Sequence, residues 1–548
     1  MERMMWLCLA ILATNFWTAL AAGDHPQTAD SQPAILMTGL SNHHHPTSSK
    51  NAEAQRFFDQ GMALMFAFNH DEAARSFRKA AELDPHLAIA EWGVGLALGP
   101  NINADVNLEQ EKLAFEAVQR ALKLADEAPE HERAYITALS KRYSDDPKAD
   151  LKKLAAAYKE AMGEVVKRWP DDLDAATLYA ESAMDLRPWQ LWTHDGKPAE
   201  GTEEIVAVLE SVLRRDPNHI GANHYYIHAV EASPQPERAL PNAQRLKTLA
   251  PAAGHLVHMP AHIYMRTGDY AEAAHCNDMA VVADRAYIKA RAPKGFYPMM
   301  YFSHNLHFLA VANAMQGRAA DALVAAEQLS AHVAPHVKEM PMLEGFLPTP
   351  TLIRARLHRW DEILKAPAPD AQLHIAGAID HFARGLAHAA TGNVGEAEKE
   401  QTAFLAAKKS IPADAMYGQR NQAHSVLAVA EHMLAAKVAL AKGDKKAAID
   451  HLKSGAEAED ALNYMEPADW YLVSREVLGG LLLAGGEFAE AEKVFRADLA
   501  RNARSGRALF GLCASLRGQG KTYAADLVQS EFEAAWKNAD MQLRKEDL

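Results

Sequence analysis

Seven histidines in the middle of the chain have the spacing of metal ligands. His224 and His228 are four residues apart, His255, His258 and His262 follow one another at steps of three and four, and His304 and His307 are three apart. On a helix, residues three or four apart share a face, with Cβ atoms about 5–6 Å from one another. Each group can therefore aim its rings at a common point. Neutral imidazole is the commonest side-chain ligand for Zn, Cu, Fe and Ni, so these rings are expected to hold a transition metal: Cu, Zn or Fe. Seven rings exceed the needs of one tetrahedral ion, which leaves open a dinuclear site or one ion with supporting histidines. Coordination by imidazole alone also leaves positions for water or a substrate, as metal-assisted chemistry requires.

Other chemistry is not written in the sequence. There is no H-E-x-x-H, C-x-x-C or G-x-S-x-G, and His224 is followed by Tyr225 where a zinc protease helix would carry glutamate. The run Arg517-Gly518-Gln519-Gly520-Lys521-Thr522 resembles the end of a phosphate loop, but Ser515 replaces the earlier glycine and the context is a turn between helices. Cys276 and Cys513 are too far apart in sequence to suggest a metal pair or a disulfide framework. A formal net charge of -14 argues against nucleic acid and anionic membrane surfaces as partners. No catalytic residue is identified.

The elements that must position the histidines are helices. The 548 residues are 49% hydrophobic, rich in Ala and Leu, and only 7% aromatic, without the alternating Val/Ile/Thr runs that predict strands. Residues 1–21 read as a signal peptide, with an apolar stretch from Trp6 to Ala13 and a small-x-small site at Ala19-Leu20-Ala21. Cleavage after Ala21 and export, to a periplasm, are expected. No later run reaches the length of apolar chain that spans a bilayer, so no membrane span is expected after cleavage. Residues 22–50, made largely of Pro, Ser, Thr, Asn and His, are expected to be a mostly disordered leader in which His43-His44-His45 is solvated.

From residue 51 onward, helical segments alternate with short Gly, Asp and Pro punctuation at a period of 34, seen between Gly61 and Gly95, Ala239 and Ala273, Trp360 and Val394, and Gly486 and Gly520. The turns HDEAARSF at His70, TGDYAEAA at Thr267, KGDKKAAI at Lys442 and GGEFAEAEKVF at Gly485, with closures at Asp84-Pro85 and Asp216-Pro217, resemble the tetratricopeptide repeat family. The resemblance implies an all-α, right-handed superhelical solenoid of antiparallel helix pairs and a binding scaffold. It spans residues 51–540 in about ten irregular repeats, with a His-rich centre at 174–318 and C-terminal repeats at 343–540.

In proteins of that family, positions 2, 5, 9, 12 and 13 of each repeat face a concave groove. In three central repeats, positions 5, 9 and 12 of the first are His224, His228 and Glu231. Positions 2, 5, 9, 12 and 13 of the second are His255, His258, His262, Met265 and Arg266, and positions 2 and 5 of the third are His304 and His307. Seven of the nine slots at positions 2, 5 and 9 are thus histidine, whereas 26 in 548 residues would place fewer than one there. Glu181 and Asp185, at positions 9 and 13 of the preceding repeat, join Glu231, Met265 and Arg266 as residues expected to support the ligands or to bind a groove ligand.

The function expected is transition-metal binding through these histidines, for metal handling or for chemistry on a small ligand or peptide in the groove. The alternative is a metal-free scaffold that clasps a peptide or envelope protein, with Phe58, Met62 and Trp92 supplying apolar contacts.

Overall fold

The computed structural model describes residues 32–548. The first repeat shows how the period arises. Helix Ala52–Met65 starts at Asn51, whose side chain accepts the free N–H groups of Glu53 and Ala54. Helix His70–Leu83 lays Ala73, Ala74, Phe77 and Ala80 against it. Gly61 is the seat for Phe77, because a Cβ there would overlap the phenyl ring. Gly95, 34 residues later in Ala88–Ala97, receives Val118 from helix Leu108–Leu124 in the same way. The sequence period is therefore a packing period, in which a small residue on the first helix admits a large one from its partner.

Repetition of this unit gives an all-helical array of antiparallel pairs, as the sequence predicts. The one small sheet among the described residues pairs Met416–Tyr417 with Asn421–Gln422. Helix Ala423–Ala441 is long and apolar enough to cross a membrane, with 56% of that stretch buried inside the protein.

Successive turns of the superhelix touch. The Tyr270 hydroxyl donates to the Ala503 carbonyl at 3.0 Å, Arg291 reaches Glu72 at 3.1 Å, and the Ala319 N–H donates to Asp540 at 2.7 Å. Gly268, at φ 76° after Thr267, is required twice: by its left-handed backbone and by the Ala503 carbonyl, which a Cβ would overlap. Contacts between residues more than 200 apart in sequence leave little open trough. Phe58, Met62 and Trp92, expected on a groove surface, are accordingly core residues with 0% exposure.

The leader also departs from expectation. Residues 1–31, with the signal peptide and the start of the leader, lie outside the described residues, but 32–50 run along the helices with Leu40 and His45 buried. The physical reason is charge: His43 and His45 meet the buried carboxylate of Asp174.

Candidate metal centre

Three helical segments carry the central histidines. Helix Ile220–Val230 presents His224 and His228 on one face. Its N-cap is His219, whose Nδ1 accepts the Ala222 N–H at 3.1 Å, while its Nε2 donates to Asp174 at 3.1 Å. Helices Gly254–His258 and Pro260–Thr267 are joined through Met259 in helical backbone geometry, so His255, His258 and His262 descend one continuous side. Helix Phe302–Met315 carries His304 and follows a π-helical turn at Tyr297–Tyr301.

Asp284 ties two of these segments together. It accepts from the Tyr297 hydroxyl at 2.9 Å and from the Asn305 amide at 2.7 Å, and it abuts Gly254, where a Cβ would overlap the carboxylate. Burial pushes the Asp284 carboxyl up to about 7, against the two hydrogen bonds.

Six histidines divide into two abutting triads. His224, His228 and His255 form one, and His258, His262 and His304 the other, with one ring nitrogen from each member within 4.8 Å of the others. The repeat explains the division. Each triad takes positions 5 and 9 of one repeat and position 2 of the next. His307 opens a third set at position 5, but position 9 of its repeat is Val311, and no third triad forms. His307 instead packs its ring against Phe346 and Tyr471.

The hydrogen bonds fix which nitrogen of each ring is free. His224 Nδ1 lies 2.7 Å from the Phe66 carbonyl, which can only accept. His258 Nδ1 lies 2.7 Å from Asn277 Oδ1, and the amide is oriented because Asn277 Nδ2 donates to the Ala273 carbonyl at 2.8 Å. His228 Nδ1 and His262 Nδ1 each stand 2.6 Å from one oxygen of Glu231. All four rings therefore donate through Nδ1 and turn an Nε2 lone pair inward. His228 Nε2 is buried without a hydrogen-bond partner, as is His255 Nδ1.

Ring nitrogens of both triads stand at ligand distances. With metal–nitrogen bonds of about 2.0–2.1 Å, two ligand nitrogens at angles of about 90–109° stand about 2.8–3.4 Å apart. His258 Nε2 and His262 Nε2 are 2.9 Å apart, and His224 Nε2 and His255 Nε2 are 3.2 Å apart. Two neutral rings that both donate through Nδ1 oppose their Nε2 lone pairs, and a cation between them would convert that repulsion into coordination. Burial, with the neighbouring histidines adding to it, holds His224, His255, His258 and His304 well below their ordinary value, in the neutral form that ligates.

Glu231 is the bridge between the triads. Burial opposes its ionisation, but His262 and His228 outweigh burial and hold the carboxyl far below the usual carboxylate range. It also accepts from the Tyr464 hydroxyl at 3.1 Å, so the next turn of the superhelix closes over it. Glu231, expected to support the ligands, thus hydrogen-bonds one ring of each triad.

Four other expectations are corrected. Glu181 and Asp185 lie away from the imidazoles, in a buried cluster where Asp185 pairs with Arg142 at 2.7 Å. Their register is the expected one, since Asp172 caps helix Leu173–Met184 as His219 caps Ile220–Val230, but in that repeat Arg142 takes the Asp185 carboxylate. Arg266 donates to the Glu231 and Ser233 backbone carbonyls and stacks over Tyr464 at 5.5 Å, so its guanidinium is spent on structure. Met265 packs at the seam of two hydrophobic clusters.

Two further groups, His43-Asp174-His219 and His45-Asp172-Asp174, bring donors equally close. There the hydrogen bonding is that of an ion pair. His219 Nδ1 accepts from backbone, so its Nε2 carries the proton and has no lone pair to offer.

The triads open on a cavity of about 70 Å³ lined by His228, His255, His262, His304 and His307 together with aromatic and Met side chains. Sequence reasoning missed its far wall, Glu466 and Asp469, because that wall comes from more than 150 residues away on the next superhelical turn. Burial pushes both carboxyls up to about 7, with Arg266 opposing it at Glu466 and a hydrogen bond from Asn421 opposing it at Asp469.

Comparison with known proteins bears on the fold. No curated protein matches the chain in sequence. Among solved structures, the human IFIT1 dimer with m7Gppp-AAAA is 13% identical, with 89% of this chain and 91% of that chain covered and a TM-score of 0.33. The APC/C hetero-tetramer Cut9-Hcn1 is 11% identical, with coverage of 89% and 88% and a TM-score of 0.30. Scores this low carry no argument about function. Residues 54–87, which hold the Gly61–Phe77 packing pair, match the tetratricopeptide repeat family model, so the helical chain contains a repeat of that kind there.

Proposed function

We propose that the chain holds a resident pair of transition-metal ions, one in each histidine triad, and that these ions act on a small molecule in the adjoining cavity. The carrying observation is the pairing of His258 and His262. Both donate through Nδ1 to fixed acceptors, and both Nε2 atoms face one another at 2.9 Å. All-imidazole donors suit Cu, Zn or Fe.

Burial favours a resident centre over metal transfer. His224 and His258 are 0% exposed, and His255 and His262 are 1% exposed, so a partner protein could reach the ligands only from the cavity side, where His304 is partly exposed. The cavity meets the triads on one side and carries Glu466 and Asp469 on the other. Carboxyls poised near neutrality can accept or return a proton from a bound molecule. When bound, the metals would polarise that molecule or a water. Glu231, Asn277 and the Phe66 carbonyl keep the rings in the ligating tautomer. Export to a periplasm, read from residues 1–21, belongs to the same proposal and predicts a mature N-terminus at Ala22.

The test is elemental mass spectrometry on mature protein made without a histidine tag. About two ions per chain are expected, with His258→Ala/His262→Ala losing one and His224→Ala/His228→Ala losing the other. A native protein that carries no metal and takes up none would overturn the reading.

A further inference from the structure

The leader sits in an acidic trough as an extended segment. From Ser41 to Lys50, partly covered or buried residues alternate with exposed ones, the period of an extended chain with one face down. His43 and His45 point to Asp174, with His43 Nε2 at 3.2 Å and His45 Nδ1 at 2.7 Å. Beyond them, the Thr47 hydroxyl donates to Gln55 at 2.7 Å and the Ser49 hydroxyl to Asp84 at 2.6 Å. On the other edge, His44 meets Asp59 at 2.9 Å and the Ser48 hydroxyl donates to Glu132 at 3.0 Å.

This docking is joined to the first triad by two routes. Asp174 also receives Nε2 of His219, the N-cap of the helix that carries His224 and His228. The His43 ring packs edge-on against Phe66 at 5.3 Å, and the Phe66 carbonyl is the acceptor that sets the His224 tautomer. Phe66 in turn fills the space over Gly221, where a Cβ would overlap its ring.

We propose that residues 41–49 are a releasable strap, latched on Asp174 by His43 and His45, whose docking holds the His224 helix in its metal-receiving position. The metal part rests on the two-triad reading above, whereas the strap itself does not.

The latch responds to pH. Burial pulls His43 and His45 down, but Asp174 outweighs it and leaves both above their ordinary value of 6.5. The other charged or titratable groups that act on them are Asp59, Asp172 and Glu132, together with His45 on His43, and the rings of His219 and His131 pack alongside. A ring that holds its proton more tightly when docked contributes its stabilisation fully below the undocked value and loses it as pH rises through the docked one. The strap is therefore tight in mild acid and loosens toward alkaline pH.

The experiment is hydrogen exchange of 41–49 in the full chain, at acid and alkaline pH and corrected for intrinsic rates. It is paired with zinc competition against a chromophoric chelator. Native protein should lose protection several-fold toward alkaline pH. His43→Gln/His45→Gln should show weak, pH-independent protection with unchanged helicity, and its tightest zinc affinity should fall several-fold. Protection that is the same at both pH values, or unchanged in the double variant, overturns the strap. pH-dependent protection with unchanged zinc affinity overturns the coupling alone. A chain that binds no zinc refutes the metal centre while the exchange result still decides the strap.

Discussion

Glu231→Gln tests the logic of the centre, because one carboxylate serves both triads. In the native chain its two oxygens accept from His228 Nδ1 and His262 Nδ1, each at 2.6 Å, and from Tyr464 at 3.1 Å. Glutamine keeps the shape but offers one acceptor oxygen and one NH₂ donor. One ring keeps its partner. The other faces a donor and relieves the clash by moving its proton to Nε2, which removes the lone pair aimed at the metal. Loss of such a supporting partner typically weakens metal affinity by about 10–100-fold, or about 1.4–2.7 kcal/mol. The variant should therefore show one site weakened by that amount and one affected less, in a competition titration followed to full occupancy. Helicity should be unchanged. Two sites with native affinity in Glu231→Gln would refute the tautomer argument, and an equal collapse of both sites would mean that net charge, rather than proton placement, governs binding.

Further outcomes follow from the same geometry. Gly254→Ala places a methyl on the Asp284 carboxylate, and overpacking of this kind should lower stability by about 1–3 kcal/mol in urea unfolding while reducing metal content. His307→Ala should keep both ions, since His307 lies outside the triads, and should alter only binding in the cavity. The depressed pKa values of His224, His255, His258 and His304 keep these rings neutral below the ordinary histidine range. Metal should thus remain bound at about pH 5.5, a unit below the unperturbed value, as measured by elemental analysis after gel filtration. Complete loss between neutrality and that pH would contradict the burial of the ligands.

Six of the seven histidines come together in two triads, a grouping legible in the sequence because the repeat register converts spacing into shared helix faces. The register also held the reason for the failure at His307, since a triad needs position 9 of the same repeat and Val311 occupies it. Glu181 and Asp185 were misread for a different cause. Their register held, with Asp172 and His219 capping equivalent helices, but the same face of that repeat meets Arg142, a partner that the repeat pattern does not encode. Arg266 was placed on the correct face but lost its presumed freedom to the backbone carbonyls of Glu231 and Ser233.

What no local pattern could supply is closure. A repeat register describes an open trough, and it assigned Phe58, Met62 and Trp92 to that surface. The superhelix instead brings Tyr464 onto Glu231 and Ala503 onto Tyr270, each pair 233 residues apart, while the leader fills the trough over the first repeats. Closure changes the chemistry available to the same side chains. Imidazoles on an open groove would be hydrated and titrate near their ordinary range, exchanging metal with solvent. Buried and held by fixed acceptors, His224 and His258 are neutral, oriented and shielded. On the proposed reading, that difference is what would let a histidine-lined scaffold retain ions and admit only what fits the cavity.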